Sequence, residues 1–172
     1  MPRDQGVWPG GHPADPESAA RAARDAAALV RGDVVACPGC GRRNRLPAAV
    51  AGWPRCGDCR RPLPWVVDAG DDTFAEIAEA ATLPVLVDLW APWCGPCRRA
   101  NPALDRIAVE LAGQVKLVRV RVDQAPRLWQ RLALQSVPAL LVLRQARVVG
   151  RQIGTEPTRP LRTWVAEALA AP

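Results

Sequence analysis

The stretch LVDLWAPWCGPCRRANP, residues 86–102, sets two cysteines two residues apart, directly after an apolar run that contains one acid, Asp88. The run LVDLW is apolar on both faces and too short for a helix, which predicts a strand buried on both sides. The residues that follow Cys94 favour a helix, which Pro102 should bend because it removes an internal hydrogen bond. The cysteine pair therefore falls where a buried strand gives way to a helix.

The place of Cys94 at a helix start favours its thiolate. Free backbone N–H groups and the positive end of the helix dipole face the sulfur there. Such a position lowers a cysteine pKa below its ordinary value of about 8.5. Cys94 is therefore the predicted nucleophile. Cys97, one helical turn deeper and less exposed, is the predicted resolving thiol, while Gly95 lets the backbone pass closely and Pro96 restricts the loop.

Asp88 is an acid in a strand predicted to be buried. Burial should raise its pKa, because the charged form loses hydration. A carboxyl with a raised pKa beneath a dithiol can exchange protons with Cys97. The alternative is a structural acid that is satisfied by hydrogen bonds or paired with a base such as Arg119. The neighbouring CGPC sequence favours the catalytic interpretation.

Two further cysteine pairs, CPGC and CGDC, are separated by 15 residues. This spacing matches a four-cysteine zinc site, in which thiolates close around a structural Zn²⁺ and leave no open position. The alternative is a pair of redox-active dithiols, which is less favoured because neither pair sits at a strand-to-helix junction. The predicted zinc ligands are Cys37, Cys40, Cys56 and Cys59.

The 172 residues divide into three predicted parts. Residues 1–33 form an extension, partly disordered, with a short Ala-rich helix. Residues 34–65 have too few apolar side chains for a core of their own, so they need a cross-link such as a bound metal ion to fold stably. Residues 66–172 alternate strands and helices, which predicts an α/β domain with a mixed central sheet flanked by helices.

The sequence also bears on compartment and membrane association. No apolar run approaches the roughly 20 residues of a membrane span, so we expect no membrane association. The N-terminus lacks the pattern of a signal peptide, from which we expect a cytoplasmic protein. In that compartment structural disulfides are rare, which is a further reason to assign the paired cysteines to metal and catalysis.

The formal net charge of +6 is unevenly distributed. Residues 1–36 carry four Arg against five acids, residues 37–67 six Arg against one acid, and residues 68–172 thirteen Lys or Arg against eleven acids. The basic segment could suit an acidic partner or nucleic acid. A solvated basic face is the favoured explanation, and aromatic side chains for base stacking are sparse there, so nucleic acid is not expected as a partner.

Taken together, these motifs resemble the thioredoxin family. The resemblance is carried by WAPWCGPC, by Asp88 two residues before the first Trp of that motif, by Pro102 five residues after Cys97, and by a Val-Pro pair about forty residues later. The four cysteines ahead of the domain narrow the resemblance to the thioredoxin 2 type, which comprises bacterial thioredoxins with an N-terminal zinc ribbon. The resemblance covers the chain after about residue 34.

The resemblance implies a protein-disulfide reductase. Cys94 would attack a substrate disulfide, Cys97 would resolve it, Asp88 would transfer a proton, and an NADPH-dependent thioredoxin reductase would restore the dithiol. It also implies a cis bond before Pro138, which sequence alone leaves open. The implied substrate groove comprises Trp93, Gly95, Pro96, Val137, Pro138, Ala139 and Gly154. An alternative function is a zinc-ribbon redox sensor, holdase or binding module that is regulated by zinc release on oxidation.

Two departures from the family pattern generate expectations of their own. Arg119 stands where the family usually has Lys, and an arginine, which stays charged and can bind a carboxylate bidentately, should hold Asp88 ionised more strongly. The sequence RQAR, residues 144–147, replaces the usual Asn-Gly turn, which suggests a different or looser hairpin turn.

Overall fold

The structure, a computed structural model, describes residues 34–49, 52–154 and 161–170. The predicted N-terminal extension, residues 1–33, lies outside these residues. The strands are β1 (Val34–Ala36), β2 (Arg43–Arg45), β3 (Val66–Ala69), β4 (Val85–Trp90), β5 (Lys116–Arg121), β6 (Ala139–Arg144) and β7 (Arg147–Ile153). The helices are α1 (Ala75–Glu79), α2 (Gly95–Glu110), α3 (Pro126–Arg131) and α4 (Leu161–Ala170).

Five of the strands form one sheet in the order β3-β5-β4-β6-β7. β5 pairs in parallel with β3 and β4, whereas β6 pairs antiparallel with both β4 and β7. The connections from β3 to β4 and from β4 to β5 carry α1 and α2, as parallel pairing requires. This confirms the predicted α/β fold with a mixed central sheet flanked by helices.

Helices cover both faces of the sheet. Alternate side chains of a strand point to opposite faces, so Val87 and Val118 pack on the side of α1 and α3. Leu86 and Leu117 pack on the opposite side, against α2 and α4. This burial on both faces accounts for the apolar run of β4. It also places Asp88, two residues after Leu86, on the face that α2 covers.

The turn between β6 and β7 is tight. Only Gln145 and Ala146 connect the paired residues Arg144 and Arg147, and their φ angles are +49° and +63°. Positive φ at both central positions is the geometry of a type I′ turn, which Asn-Gly usually supplies. The expectation of a looser turn was therefore wrong, since the twist of the two strands imposes this geometry on residues that disfavour it.

Helix α1 is short. It spans five residues with π-type bonding, in which the N–H of Ala80 donates to the carbonyl of Ala75 at 2.9 Å. The carbonyl of Ile77, which in a longer α-helix would accept from residue 81, accepts instead from Nζ of Lys116 at 2.5 Å. A tertiary contact from β5 thus competes with the local helical pattern.

The N-terminal cysteine-rich segment forms its own two-stranded antiparallel sheet, β1 with β2. Its small core includes Leu63 and Trp65, with Leu83 of the larger domain packed against it. The indole of Trp65 donates to the carbonyl of Pro47 at 2.9 Å. Nζ of the buried Lys116 donates to the carbonyl of Ala48 at 2.6 Å and lies 4.1 Å from the centre of the Trp65 ring. The contacts of Lys116 and Leu83 fix the cysteine-rich segment on the larger domain.

None of the helices in the three described ranges combines the length and the apolar character that a membrane crossing needs.

Candidate active site and cysteine cluster

Cys94 and Cys97 form a disulfide at the start of α2, with Cα atoms 5.3 Å apart. Cys94 is the N-cap of the helix, and its Sγ accepts a hydrogen bond from the N–H of Cys97 at 3.1 Å. Pro96 occupies the first turn, where a missing N–H is tolerated. Cys94 is 6% exposed and Cys97 only 1%. The structure therefore brings a helix N–H group to the sulfur of Cys94 and places Cys97 deeper, as the sequence predicts.

An apolar setting surrounds the disulfide. Ala91 is buried against both cysteines, with Trp90, Val122 and Val137 packed around them. In contrast, the indole of Trp93, next to Cys94 in sequence, is 68% exposed. One side of the disulfide thus lies in the core, and the other lies beside an exposed aromatic ring.

The loop before β6 meets the end of β7 near this point. The bond between Val137 and Pro138 is cis, which answers the question that the sequence left open. The N–H of Gly154 donates to the carbonyl of Pro138 at 2.9 Å, and Gly154 itself has a φ of +89°. Ala139, the first residue of β6, is fully buried. Val137 of this predicted groove also packs on the cysteine pair.

Asp88 lies in the middle of β4, between Leu140 of β6 and Arg119 of β5. It is 1% exposed. Burial, the largest cause, raises the pKa of Asp88 from its ordinary 3.8 to about 6, while the charge of Arg119 opposes the rise and that of Asp105 adds to it. This agrees with the raised pKa that the sequence predicts for a desolvated acid.

In the structure, Arg119 does not form a bidentate hydrogen-bonded pair with Asp88. Nη2 of Arg119 donates to Oδ1 of Asp105 at 2.7 Å, whereas its Nε lies 3.6 Å from Oδ2 of Asp88 without forming a hydrogen bond. Within the described residues, that Nε and that Oδ2 have no other hydrogen-bond partner. Arg119 therefore pairs with Asp88 and lowers its pKa, in the direction expected, but its charge does not outweigh burial, and its hydrogen bond goes to a second buried acid.

Sequence reasoning missed Asp105. This residue lies on α2 between Leu104 and Ile107, which pack on the sheet, and it is 6% exposed. The signal was an acid at the edge of the apolar stripe of the helix that covers Asp88. Such a position is commonly solvated, so the sequence alone gives no reason to single it out.

Comparison with known proteins agrees with this geometry. The Thioredoxin family model matches residues 65–167, well over half of the chain. The chain belongs to the thioredoxin family. Its Cys94–Cys97 pair matches the CxxC active site of these proteins, and the chain is accordingly a protein-disulfide oxidoreductase with a thioredoxin domain.

Individual thioredoxins match over different lengths. Thioredoxin of Haemophilus influenzae is 36% identical over 100 residues, which cover 58% of this chain and 94% of the relative. Thioredoxin 1 of Synechococcus elongatus is 38% identical over 91 residues, covering 53% and 85%. Thioredoxin C-3 of Corynebacterium nephridii is 30% identical over 139 residues, covering 79% and 95%. That share exceeds what residues 66–172 can supply, so the last match extends into the cysteine-rich segment.

The four cysteines ahead of the thioredoxin domain form one cluster. Their Sγ atoms all lie within 4.8 Å of one another. Sulfurs of different pairs approach each other closely: Cys37 and Cys59 are 3.5 Å apart, and Cys40 and Cys56 3.6 Å apart. A tetrahedral Zn²⁺ with bonds of about 2.3 Å separates its sulfurs by roughly 3.8 Å. The cluster therefore fits a tetrahedral metal ion that draws on both pairs.

The backbone around the cluster has the same form in both cysteine loops. The N–H of Gly41 donates to the carbonyl of Cys37 at 2.8 Å, and the N–H of Arg60 donates to the carbonyl of Cys56 at 3.1 Å. Gly41 and Arg60 both have positive φ, +77° and +62°. Burial acts to raise the pKa of Cys56, but N–H groups of the loop outweigh it and lower the pKa to about 6. For Cys40, a backbone hydrogen bond from Arg42 acts to lower the pKa, but burial and the other three thiols outweigh it and raise the pKa to about 11, so the loops favour thiolate at Cys56 and thiol at Cys40.

Proposed function

We propose that this thioredoxin-family protein reduces disulfides of other proteins, with Cys94 as nucleophile and Cys97 as resolving thiol. The observation that carries the proposal is the position of Cys94: it caps α2, accepts an N–H from the first turn, and is the more exposed of the two sulfurs. A helix N-terminus favours thiolate over thiol, and the thiolate is the attacking species.

The reaction starts from the reduced dithiol. The Cys94 thiolate attacks one sulfur of the substrate disulfide, forms a mixed disulfide, and releases one substrate thiolate, which takes a proton from water. Cys97 then loses its proton and attacks the sulfur of Cys94. The Cys94–Cys97 disulfide forms and the second substrate thiolate leaves. Two electrons have passed to the substrate, and a thioredoxin reductase that draws on NADPH returns them to the protein.

Asp88 accepts the proton of Cys97 in this scheme and later returns it to the departing thiolate. A general base works best when its pKa lies near the working pH. The pKa of Asp88, raised by burial to about 6, meets this condition and leaves the carboxylate in excess at pH 7. Replacing Asp88 by Asn should slow the resolving step more at pH 7 than at pH 9, where hydroxide can remove the thiol proton.

The substrate lies on the surface formed by the exposed indole of Trp93 and the backbone around the cis bond at Pro138. The residues assigned to this surface are Trp93, Gly95, Pro96, Val137, Pro138, Ala139 and Gly154. An extended peptide placed beside Val137 would offer its disulfide to Cys94, with backbone groups supplying the pairing. The hydrogen bond between Gly154 and Pro138 supports a common surface for the two loops.

Insulin reduction driven by dithiothreitol tests this function. The protein should accelerate precipitation of the insulin B chain, and Cys94→Ser should abolish the acceleration. Cys97→Ser should instead accumulate a mixed disulfide on Cys94, detectable by mass spectrometry of the non-reduced protein. Loss of activity in Cys97→Ser with no trapped adduct would contradict the assignment of the nucleophile.

We infer that Cys37, Cys40, Cys56 and Cys59 hold a structural Zn²⁺ and that residues 34–65 form a zinc ribbon ahead of the thioredoxin domain, residues 66–172, as in the thioredoxin 2 type. The donor set supports this assignment, since four thiolates without a carboxylate favour a thiophilic ion such as Zn²⁺, which is redox-inert, and leave no position for water. When bound, the ion would cross-link two loops that share only a small core.

Metal analysis tests the ribbon. The reduced protein should contain one zinc per chain, and Cys56→Ser should lose it without loss of insulin reduction. Absence of zinc from protein purified under reducing conditions would refute the site. Four metal-bound thiols would also suit the reducing cytoplasm, where we place the protein.

The exposure of Cys40 and Cys59 favours one further role for the ribbon, that of a redox sensor. An oxidant that reaches these sulfurs would expel the metal and release the two loops. A zinc and thiol count before and after mild peroxide treatment separates the roles. A structural ribbon keeps its zinc while Cys94 and Cys97 oxidise, whereas a sensor loses zinc and gains holdase activity.

A further inference from the structure

One cation serves two buried acids on the face of the sheet beneath α2. Arg119 forms a short ion pair with Asp105, 2.7 Å from Nη2 to Oδ1, and a longer contact with Asp88, 3.6 Å from Nε to Oδ2. The side chains of Asp88 and Asp105 are 1% and 9% exposed, that of Arg119 18%. A guanidinium is planar and rigid, so the bond that Nη2 makes with Asp105 fixes where Nε points.

The longer contact leaves one hydrogen-bond donor and one acceptor unused. Among residues 34–49, 52–154 and 161–170, Nε of Arg119 and Oδ2 of Asp88 have no hydrogen-bond partner. Buried polar atoms without partners cost free energy, and a small rotation of the guanidinium toward Asp88 would pair these two. Asp105 is the group that holds the guanidinium away from that geometry.

We propose that Asp105 is a positioning residue for disulfide exchange: its ion pair with Arg119 keeps the guanidinium from forming a hydrogen-bonded pair with Asp88 and so keeps Asp88 available as a base. The inference rests on the proposed proton-transfer role of Asp88. Without Asp105, Arg119 could direct both Nε and Nη2 at the carboxylate of Asp88. This charge-assisted, bidentate pair would hold Asp88 in its ionised, weakly basic form.

Among the residues that the structure describes, few charged or titratable groups surround Asp88. β5 presents Arg119, and α2 presents Asp105 together with the cysteine pair at its start. β3 presents Asp68, which is level with Arg119 but exposed, and β6 presents only the apolar Leu140. Of these, Arg119 lowers the proton affinity of Asp88 and Asp105 raises it. The balance between one cation and one competing acid therefore sets how firmly Asp88 holds its proton.

The test is the titration of the Asp88 carboxyl carbon by NMR in the oxidised, full-length protein. Asp105→Asn preserves the shape of the side chain but removes the charge that holds Arg119. Its Asp88 midpoint should fall by one pH unit or more, a loss of at least tenfold in proton affinity. Asp105→Glu restores a carboxylate and should bring the midpoint back toward that of the unmodified chain.

A second pair of variants separates the action through Arg119 from the direct charge of Asp105. In an Arg119→Gln background no guanidinium can turn toward Asp88, so Asp105→Asn should move the midpoint by less than half as much as it does alone. An equal displacement in both backgrounds would mean that Asp105 acts by its own charge only, and it would overturn the inference. So would an unmoved midpoint in Asp105→Asn alone, or a midpoint in Asp105→Glu as low as in Asp105→Asn.

The unmodified chain provides a measurement that does not depend on how the variants fold. The two Nη groups of Arg119 should give separate, slowly exchanging ¹⁵N signals, with the Nη2 protons close to the carboxylate of Asp105. A freely rotating guanidinium would contradict the positioning role. Because these experiments need no substrate, they can fail while insulin reduction succeeds, and the reverse, so the two proposals are tested separately.

Discussion

Replacing Asp88 by Asn should stabilise the oxidised protein at neutral pH. Burial raises the pKa of Asp88 from 3.8 to about 6, so between these values the folded chain binds more protons than the unfolded chain. Stability then declines as the pH rises through this window. Each pKa unit corresponds to about 1.4 kcal/mol, so the ionised carboxylate lowers the free energy of unfolding by about 3 kcal/mol above pH 7, a cost that Asn does not carry.

Guanidinium unfolding followed by tryptophan fluorescence measures this difference. The stability gained by Asp88→Asn should be about 2 to 3 kcal/mol greater at pH 8 than at pH 4, because the pH-independent cost of burying an amide cancels in the comparison. The exposed Asp68 offers the control, since Asp68→Asn should change stability by no more than about 0.5 kcal/mol at either pH. Equal effects of Asp88→Asn at both pH values would refute the assignment of a raised pKa.

Three further changes test the fold. Ala146→Gly should stabilise the protein by about 1 kcal/mol, because glycine adopts positive φ without steric cost; the same change at the exposed Ala103, inside α2, should destabilise it by about 1 kcal/mol. Lys116→Met removes the donor from two carbonyl groups and should speed amide hydrogen exchange in residues 34–49, measured by mass spectrometry, whereas unchanged exchange would argue against a role in fixing the ribbon. Gly150→Ala places a Cβ 2.9 Å from that of Ala168 and should lower the denaturation midpoint by an amount equivalent to about 1–3 kcal/mol.

The features predictable from sequence are those with a local or periodic signal. The apolar sequence of β4 predicts that the strand is buried on both faces, and the position of Cys94 follows from the strand before it and the helix after it. The spacing of the four ribbon cysteines predicts that their sulfurs can reach one ion. In each case residues close in sequence, or at a fixed period, determine the outcome. The register of β4 and β5 also brought Arg119 opposite Asp88, as the sequence suggested.

The features that sequence could not supply depend on contacts across the fold. Lys116 and Ile77 are far apart in the chain, yet their hydrogen bond accompanies the short, π-type form of α1. The competition between Asp88 and Asp105 for Arg119 likewise depends on how α2 lies over the sheet. A sequence pattern identifies which residues are buried, but it does not show which of two buried acids forms the hydrogen bond with the same cation.

The unfavourable energy of Asp88 helps to decide between its two interpretations. A structural acid is expected to stabilise the fold through its partners, with a lowered pKa. Asp88 does the reverse: its pKa is raised, its Oδ2 has no hydrogen-bond partner among the described residues, and the cation beside it, Arg119, makes its hydrogen bond to another acid. The ionised form costs about 3 kcal/mol, which an apolar or amide side chain would avoid. A destabilising acid beneath a dithiol fits a group that takes part in the reaction, since sites of chemistry are where proteins trade stability for activity.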